Sequence, residues 1–547
     1  MQSLALAVLV LIWLGGTLVR IYRQARFYQI EEYMPLRYLR WTLAKRERIL
    51  PQRTIVAGFL AAVLAFFLSE APGSILPAVV AATASLVAVW PPDEGEIKKR
   101  FNRTPRATRL LGAAFFTAVV LMAIGLWIVA ALGLDAIEFQ VIGVLVVGLV
   151  NYLFAPLHLI AGNTLMTPVE AFLRQRFINQ ARAVLAQIQP RVVGITGSYG
   201  KTTTKHFLSE ILNGRYKTYP TPKSYNTMMG VCIAINKDLA NDFSIEYFIV
   251  EMGAYIRGEI QRIAGLTPPD ISIVVEVGPQ HLERFGSLEN IAIAKYEIIK
   301  ALRPDGVGVF NWDNPYVRDM YERGYPQTRL AVSKSIAPED APADGPRFIA
   351  SNVHESLDGL QFTVTDRETG AVERFEAPLV GEHNVTNILL ATAVAVHEGM
   401  SLREVAVRVR RLRPAESRLV RQTTPQGITI INDAYSANPA GVVSALKVLG
   451  MHTGGKRLVI TPGMVELGDL HEPENRKLGQ RIPDYATDVI LVGEEQTRPI
   501  QQGLADKGFP AERLRVVEEL REAVRWYQAN LKPGDTVLFL NDLPDTY

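Results

Sequence analysis

Residues 192–212, "VVGITGSYGKTTTKHFLSEIL", pass from an apolar strand-like run through a glycine-rich turn into a segment with helical spacing. A turn of this kind between strand and helix aims backbone N–H groups and the helix N-terminus at an anion, and Lys201 adds positive charge. The common phosphate-loop pattern has glycine five residues before the glycine that precedes lysine. Ile195 stands there, so the plain pattern fails. In its place are Gly194, Gly197, Gly200, Lys201 and Thr202, followed by Thr203 and Thr204. Alone, the turn reads either as a phosphate cradle or as a structural connection.

Working outward, the runs "RVVGIT", "EYFIVEMG", "ISIVVEVG" and "GVGVFNW" alternate with helical segments, which predicts a parallel sheet covered by helices. An anion at the first strand-to-helix turn suits a doubly wound fold, whose ligands gather at the carboxyl ends of the strands. Residues 346–380 read instead as a strand-and-turn insert, and a boundary follows near 412–417. After it, "ITIIND", "KRLVITPG", "DVILVG" and "DTVLFL" predict a second, smaller α/β sheet.

The region upstream has a different composition. The chain of 547 residues is 48% hydrophobic and 21% charged with a net charge of +3, a balance that argues against a general nucleic-acid binder. Five apolar stretches, 3–20, 54–69, 75–90, 110–134 and 139–162, approach or exceed the ~20 residues a helix needs to cross a bilayer. The second and third are short enough to form a re-entrant hairpin instead. Lys and Arg concentrate in 20–53 and 98–109, whereas "EAPGS" at 70–74 and the region of Asp135 and Glu138 hold acids only. The positive-inside rule then places both basic segments in the cytosol. The expected protein is multi-pass, with its amino terminus outside and everything after about residue 163 in the cytosol. A single cysteine, Cys232, in the apolar run "GVCIAI", excludes an internal disulfide framework and reads as a buried core thiol.

Further motifs follow the loop in order: "FIVEMGA" with Glu251, "VGPQHLERFGS" with His281, "IAIAKYEII" with Lys295, "NWDNP", "GEHNVTNILLATA", "RLVRQTTPQGITIINDAYSANP" and "TPGMVELGD". With G-x-T-G-x-x-G-K-T-T-T, this series resembles the Mur ligase family, the ATP-dependent amide ligases that extend peptidoglycan precursor peptides. The resemblance covers about 190–547. Through "EMGA", "HLERFGS" and "DAYSANP" it is most similar to the branch that adds a D-alanyl-D-alanine dipeptide. It implies an α/β fold with an ATP-binding central domain at 191–413 and a smaller Rossmann-like C-terminal domain at 414–547; composition places before them an all-α transmembrane region of about five helices at 1–165 and an amphipathic linker at 166–190.

The same resemblance implies the chemistry, in which a substrate carboxylate becomes an acyl phosphate and an amine displaces the phosphate. Gly197, Ser198, Gly200, Lys201, Thr202 and Thr203 would hold ATP, with Lys201 on the β- and γ-phosphates. Asn387 would meet adenine, Arg418 a phosphate and Asp433 the ribose. Thr202, Glu251, His281 and Lys295 would serve Mg²⁺, Lys295 at the position many members carry carbamylated. Lys201, Glu251, His281 and Lys295 form the expected catalytic set. Asn384 reads as a helix cap or a contact, Asn311 and Asp313 as turn residues or contacts, and Thr221, Asn226 and Thr227 as contacts near the γ-phosphate or acceptor.

Three positions depart from the dipeptide-adding pattern: Ser436, Glu276 and Asn475. They leave the amine open. The family's upstream domain for a UDP-linked muramyl peptide has no counterpart here, so the expected acceptor is either that precursor or a lipid-linked one at the inner leaflet. Two other readings remain at this level: an ATP-driven transporter, and a ligase-like scaffold or a ligase needing a partner subunit.

Overall fold

The computed structural model describes residues 2–67, 76–91, 101–133, 136–223, 225–416, 418–434 and 438–541. The chain divides into two compact units, residues 1–176 and 177–546, and the division falls inside the helix Ala155–Ile188.

The first unit is helical. Gln2–Ile30 packs on Leu76–Val89, Pro105–Ala131 and Ile137–Leu153, and Gln52–Phe67 pairs with Leu76–Val89. Trp13 is buried at the centre and donates from its indole N–H to Ser85 Oγ at 3.0 Å. A Cβ on Gly148 would lie 2.4 Å from the Trp13 ring, so only glycine allows that approach.

Among the described residues two helices, Ser3–Ile30 and Pro105–Ala131, are long and apolar enough to cross, or three if Ile137–Leu153 and Ala155–Ile188, bent by 63°, form one span. Within the other two stretches the described residues form shorter apolar helices, Gln52–Leu64 and Ala78–Val89. The segment 70–74, Asp135, Lys98, Lys99 and Arg100 lie outside the described residues. Arg20 is buried within Gln2–Ile30 and donates to the carbonyls of Tyr152, Arg48 and Ile49 at 3.1, 2.8 and 3.2 Å.

The second unit holds two sheets. The larger joins β1 (Arg191–Thr196), β2 (Thr218–Pro220), β3 (Tyr247–Glu251), β4 (Ile271–Val274), β5 (Val307–Asn311), β6 (Thr328–Ser333), β7 (Phe348–Ser356), β8 (Gly359–Asp366) and β9 (Val372–Ala377) in the order β2-β3-β1-β4-β5-β6-β7-β8-β9. Pairing is parallel from β2 to β7 and antiparallel through β7, β8 and β9. The expected insert therefore extends the same sheet. Strand order reverses direction at β1, which puts the Gly197–Gly200 loop at a topological switch point. Side chains of β1 alternate between two cores, Val193 and Ile195 toward the buried helix His383–His397, and Val192 toward Ile298 and its neighbours.

The smaller sheet comprises β10 (Val420–Thr423), β11 (Thr429–Asp433), β12 (Arg457–Thr461), β13 (Asp488–Val492), β14 (Leu514–Val517) and β15 (Thr536–Leu540), ordered β10-β11-β15-β12-β13-β14. All pairs but β10–β11 are parallel. Cys232 is buried in the core, as its surroundings predict.

Candidate active site

The loop after β1 turns into the helix Lys201–Leu212 at Gly200, whose φ of 78° lies in the left-handed region. A Cβ there would stand 2.6 Å from Asn387 Oδ1. Glycine is thus required by conformation and by space together. Ser198 braces the loop, its N–H donating to Glu276 O at 2.6 Å and its hydroxyl to Gly278 O at 2.9 Å. Lys201 Nζ folds back on the loop carbonyls of Gly197 and Ser198 at 2.7 and 3.1 Å. Burial pulls its ammonium down to about 8, against the attraction of Glu251.

Glu251 ends β3 beside this loop, fully buried. Its carboxylate accepts from Thr202 Oγ1 at 3.0 Å, Asn226 Nδ2 at 3.1 Å and Lys205 Nζ at 3.0 Å. Burial alone would raise this carboxyl; the Lys205 and Lys201 cations outweigh it and hold the group below the usual carboxylate range. Sequence reading missed Lys205. The available signal was its spacing, four residues after Lys201 and hence on the same helix face.

A cavity of about 240 Å³ collects Ser198, Lys201, Thr202, Asn226, Glu251, Tyr255, His281, Lys295 and Arg418. Lys295 is buried, and desolvation followed by repulsion from Lys201 drives its amine well below the ordinary lysine range. His281 adopts a left-handed backbone (φ 55°), tilts on the Tyr255 ring at 4.5 Å, and bonds through Nδ1 to the carboxylate of Glu466 from the smaller sheet's side. Glu466 was also missed, because its loop lies 185 residues from His281 in sequence.

A second cavity of about 390 Å³ adjoins the first through Tyr199, Gly200, Thr202 and Arg418 and is lined by Thr203, Glu276, Asn311, Asp313, Lys334, His383, Asn387 and Asp433 among others. Asn387 accepts from Thr204 Oγ1 at 3.1 Å and donates to Asn384 Oδ1 at 3.2 Å, so Asn384 supports Asn387 and does not cap the helix. Asp433 accepts from the Leu419 N–H at 3.2 Å, and burial raises its carboxyl to about 6 against the pull of Arg418. Asn311 and Asp313 do form a turn, with Asp313 N–H on Asn311 Oδ1 at 3.1 Å. Thr221 accepts from the Glu251 N–H at 3.2 Å, and Thr227 caps the helix Met228–Lys237. Ser436 lies outside the described residues.

Among the described residues no group of three or more His, Cys, Asp or Glu is placed to hold a metal. The chemistry still fits Mg²⁺, which keeps several waters and takes few protein ligands besides phosphate oxygens. Thr202 and Glu251 supply a hydroxyl and a carboxylate 3.0 Å apart at the cavity wall. Tyr199 Oη, buried between the cavities, has no hydrogen-bond partner among the described residues, as expected of a group awaiting a polar ligand.

A glycine–lysine loop at the switch point of one α/β sheet, with a second sheet closing over it, defines a nucleotide-using enzyme of two lobes. Comparison with known proteins narrows the class. Residues 195–395 match the Mur ligase middle domain and 417–541 the Mur ligase, glutamate ligase domain. The UDP-N-acetylmuramoyl-tripeptide--D-alanyl-D-alanine ligase of Bacillus subtilis (strain 168) is 30% identical over 360 residues, 66% of this chain and 74% of its own. That of Escherichia coli (strain K12) is 30% identical over 352 residues, 63% and 75% respectively. MurF from Acinetobacter baumannii shares the fold, with a TM-score of 0.57 at 24% identity over 67% of this chain and 77% of its own. The MurF ligase from Thermotoga maritima in complex with ADP gives 0.57 at 23%, over 68% and 80%. The chain belongs to the Mur ligase family, and with it to the ATP-dependent ligases.

Proposed function

We propose that the chain joins D-alanyl-D-alanine to the free carboxylate of a muramyl tripeptide at the expense of ATP, anchored to the membrane by its N-terminal helices. The observation that carries this is the convergence of Lys201, Thr202, Glu251, His281 and Lys295 on one cavity, next to a larger one lined by Asn387, Arg418 and Asp433. Relatives named for this reaction support the choice of substrates.

In the proposed reaction a carboxylate oxygen of the acceptor attacks the γ-phosphorus, and ADP leaves. The amine nitrogen then attacks the acyl carbon, the carbon–oxygen bond to phosphate breaks, and phosphate departs as the nitrogen sheds its protons. Lys201, released from the carbonyls of Gly197 and Ser198, turns to the β- and γ-phosphates. The main-chain N–H groups at the start of Lys201–Leu212 meet the same anion. Asn387, Arg418 and Asp433 orient the nucleoside end, and closure of the two lobes excludes water. Thr202 and Glu251 would hold Mg²⁺, with His281 and Lys295 beside them, and the ion would supply charge neutralisation when bound. The low basicity of Lys295 suits carbamylation, in which the neutral amine adds CO₂ and releases one proton. The resulting anion would offset Lys201.

Phosphate release from ATP, dependent on both a muramyl tripeptide and D-alanyl-D-alanine, tests the reading. It fails if wild-type protein releases no phosphate above background with any amine, or if Lys201→Ala releases as much as wild type. A lipid-linked acceptor is the second reading, favoured by the apolar side chains that the first unit leaves exposed, such as Phe59, Phe116 and Trp127. Turnover of the UDP-linked acceptor alone removes it.

A further inference from the structure

In the proposed reaction the glycine loop takes the phosphates of the nucleotide, and a separate group must read its base. Gly200 and Thr202 line both cavities, and Lys201, Glu251 and Lys295 line the smaller one, so a phosphate chain seated there sends its nucleoside into the larger. Several polar groups on that wall are already engaged. Asn387 commits its oxygen to Thr204 and its amide to Asn384, and Asn311 Oδ1 accepts from the Asp313 N–H. The Asp313 carboxylate accepts from Ser333 and from the Lys334 N–H at 2.9 Å, while Lys334 Nζ donates to Glu382 at 2.6 Å.

Glu276 differs. It lies two residues beyond β4, at one of the three positions that depart from the dipeptide-adding pattern. Its main chain packs closely on the glycine loop: its carbonyl accepts from the Ser198 N–H at 2.6 Å, and a Cβ on Gly197 would stand 3.0 Å from its nitrogen. Its carboxyl lines the larger cavity and makes no hydrogen bond to another described residue. Burial raises it to about 7 against the attraction of Lys334, so near neutrality both of its states are populated. Around it stand Tyr199 from the glycine loop, kept protonated by burial, Asp313 after β5, Lys334 after β6, and Glu382 and His383 where the helix His383–His397 begins. Arg418, Asp433 and Lys447 line the wall from the smaller lobe.

A protonated carboxyl presents one donor and one acceptor side by side. Adenine offers the complement, with N1 accepting and the N6 amino group donating. Guanine offers two donors, N1–H and the N2 amino group, which suit an ionised carboxylate. We infer that Glu276 is the base-reading residue of the nucleotide site, its protonated carboxyl pairing with N1 and N6 of adenine and its carboxylate favouring guanine. The inference rests on the ligase reading above and deepens it: the choice of ATP becomes a property of one side chain and depends on pH. Asp433, raised to about 6, and Lys201, lowered to about 8, titrate nearby, but in the proposed reaction they meet the ribose and the phosphates. ADP and GDP share those parts, so both effects cancel in the ratio of their affinities.

The test titrates the full chain, in detergent with Mg²⁺, by calorimetry between about pH 6 and about pH 8.5. The ligands are ADP, GDP and 1-deaza-ADP, in which a C–H group replaces N1. The wild-type preference for ADP over GDP should fall about tenfold or more across that range. Glu276→Gln, whose amide presents a donor and an acceptor at every pH, should hold its preference level. At the acid end 1-deaza-ADP should bind about tenfold more weakly than ADP, and at the alkaline end the two should converge. A flat wild-type ratio, a Glu276→Gln ratio that falls as the wild type's does, or 1-deaza-ADP bound as tightly as ADP at the acid end overturns the base-reading role. If Glu276→Gln shows no cooperative melting transition, the wild-type ratio and the 1-deaza-ADP comparison decide alone. A wild type that binds ADP at no pH overturns the ligase reading, and the role of Glu276 falls with it.

Discussion

At the scale of single residues, the buried Glu251 carboxylate depends on cations that the sequence only half announced. Lys201 was legible from the glycine turn, but Lys205 was not, since a lysine on a helix ordinarily reaches solvent and only the packing of β3 shows that this one cannot. Lys205→Met should cost about 3 kcal/mol by stranding a buried charge, and adding Glu251→Gln should recover much of the loss. Shifts of the urea midpoint for both single variants and the double variant measure this coupling; purely additive losses would show that the pair does not interact. Glu276 behaves differently. Burial raises its carboxyl to about 7, opposed by Lys334, from an ordinary 4.5. The folded state therefore binds the extra proton, and the stability this contributes is complete below about 4.5 and lost as pH rises through 7. Relative to Glu276→Gln, the wild-type melting temperature should fall across that interval, with a total change of about 3 kcal/mol. A difference that stays flat with pH would contradict this.

At the scale of elements, alternation of apolar runs with helical segments was sufficient to read the parallel sheet, because each strand announces itself by its own composition. The place of residues 346–380 was not legible. Whether a hairpin stands apart or extends a sheet depends on which edge is free, and the β6–β7 pairing at Val332–Phe348 is fixed by tertiary contact alone. Likewise Asn384 resembles a cap in sequence, yet the helix begins before it and its side chain supports Asn387. The element on which most depends is the loop between β1 and Lys201–Leu212. Gly200→Ala must accommodate both a left-handed residue and a Cβ 2.6 Å from Asn387 Oδ1. The expected result is a folded protein with nucleotide affinity reduced about a hundredfold, as strain of about 1–3 kcal/mol adds to displacement of Asn387 from the cavity wall. Calorimetric titration with ADP, alongside circular dichroism, separates lost binding from lost fold.

At the scale of the molecule, sidedness follows from counting crossings. Hydropathy identified five apolar stretches but not how long a straight helix each would form; among the described residues two helices, or three if the bent pair is one span, are long and apolar enough to cross. The basic segments run from the end of Ser3–Ile30 to the start of Pro105–Ala131; if both helices cross, they put these segments on one side and the chain after Ala131 on the other. Lys and Arg place the basic side in the cytosol. With two crossings, the ATP-using unit would face away from its nucleotide. Three crossings, with Ile137–Leu153 and the first part of Ala155–Ile188 returning the chain, restore agreement. In that arrangement the pair Gln52–Phe67 and Leu76–Val89 would leave the chain on the side where it began. Large side chains left in contact with the surroundings along the first unit, Leu4 at 71%, Phe59 at 70% and Trp127 at 71%, would each forgo about 1.5–3 kcal/mol in water that lipid supplies. Cys232→Ala removes the single native thiol, and cysteines introduced singly at Ser3, Arg46 and Gly214 can then be labelled in intact cells with an impermeant maleimide. Ser3 should label from outside, and Arg46 and Gly214 only after the cells are opened; labelling of Gly214 in intact cells would put the ligase lobes outside and end the reading.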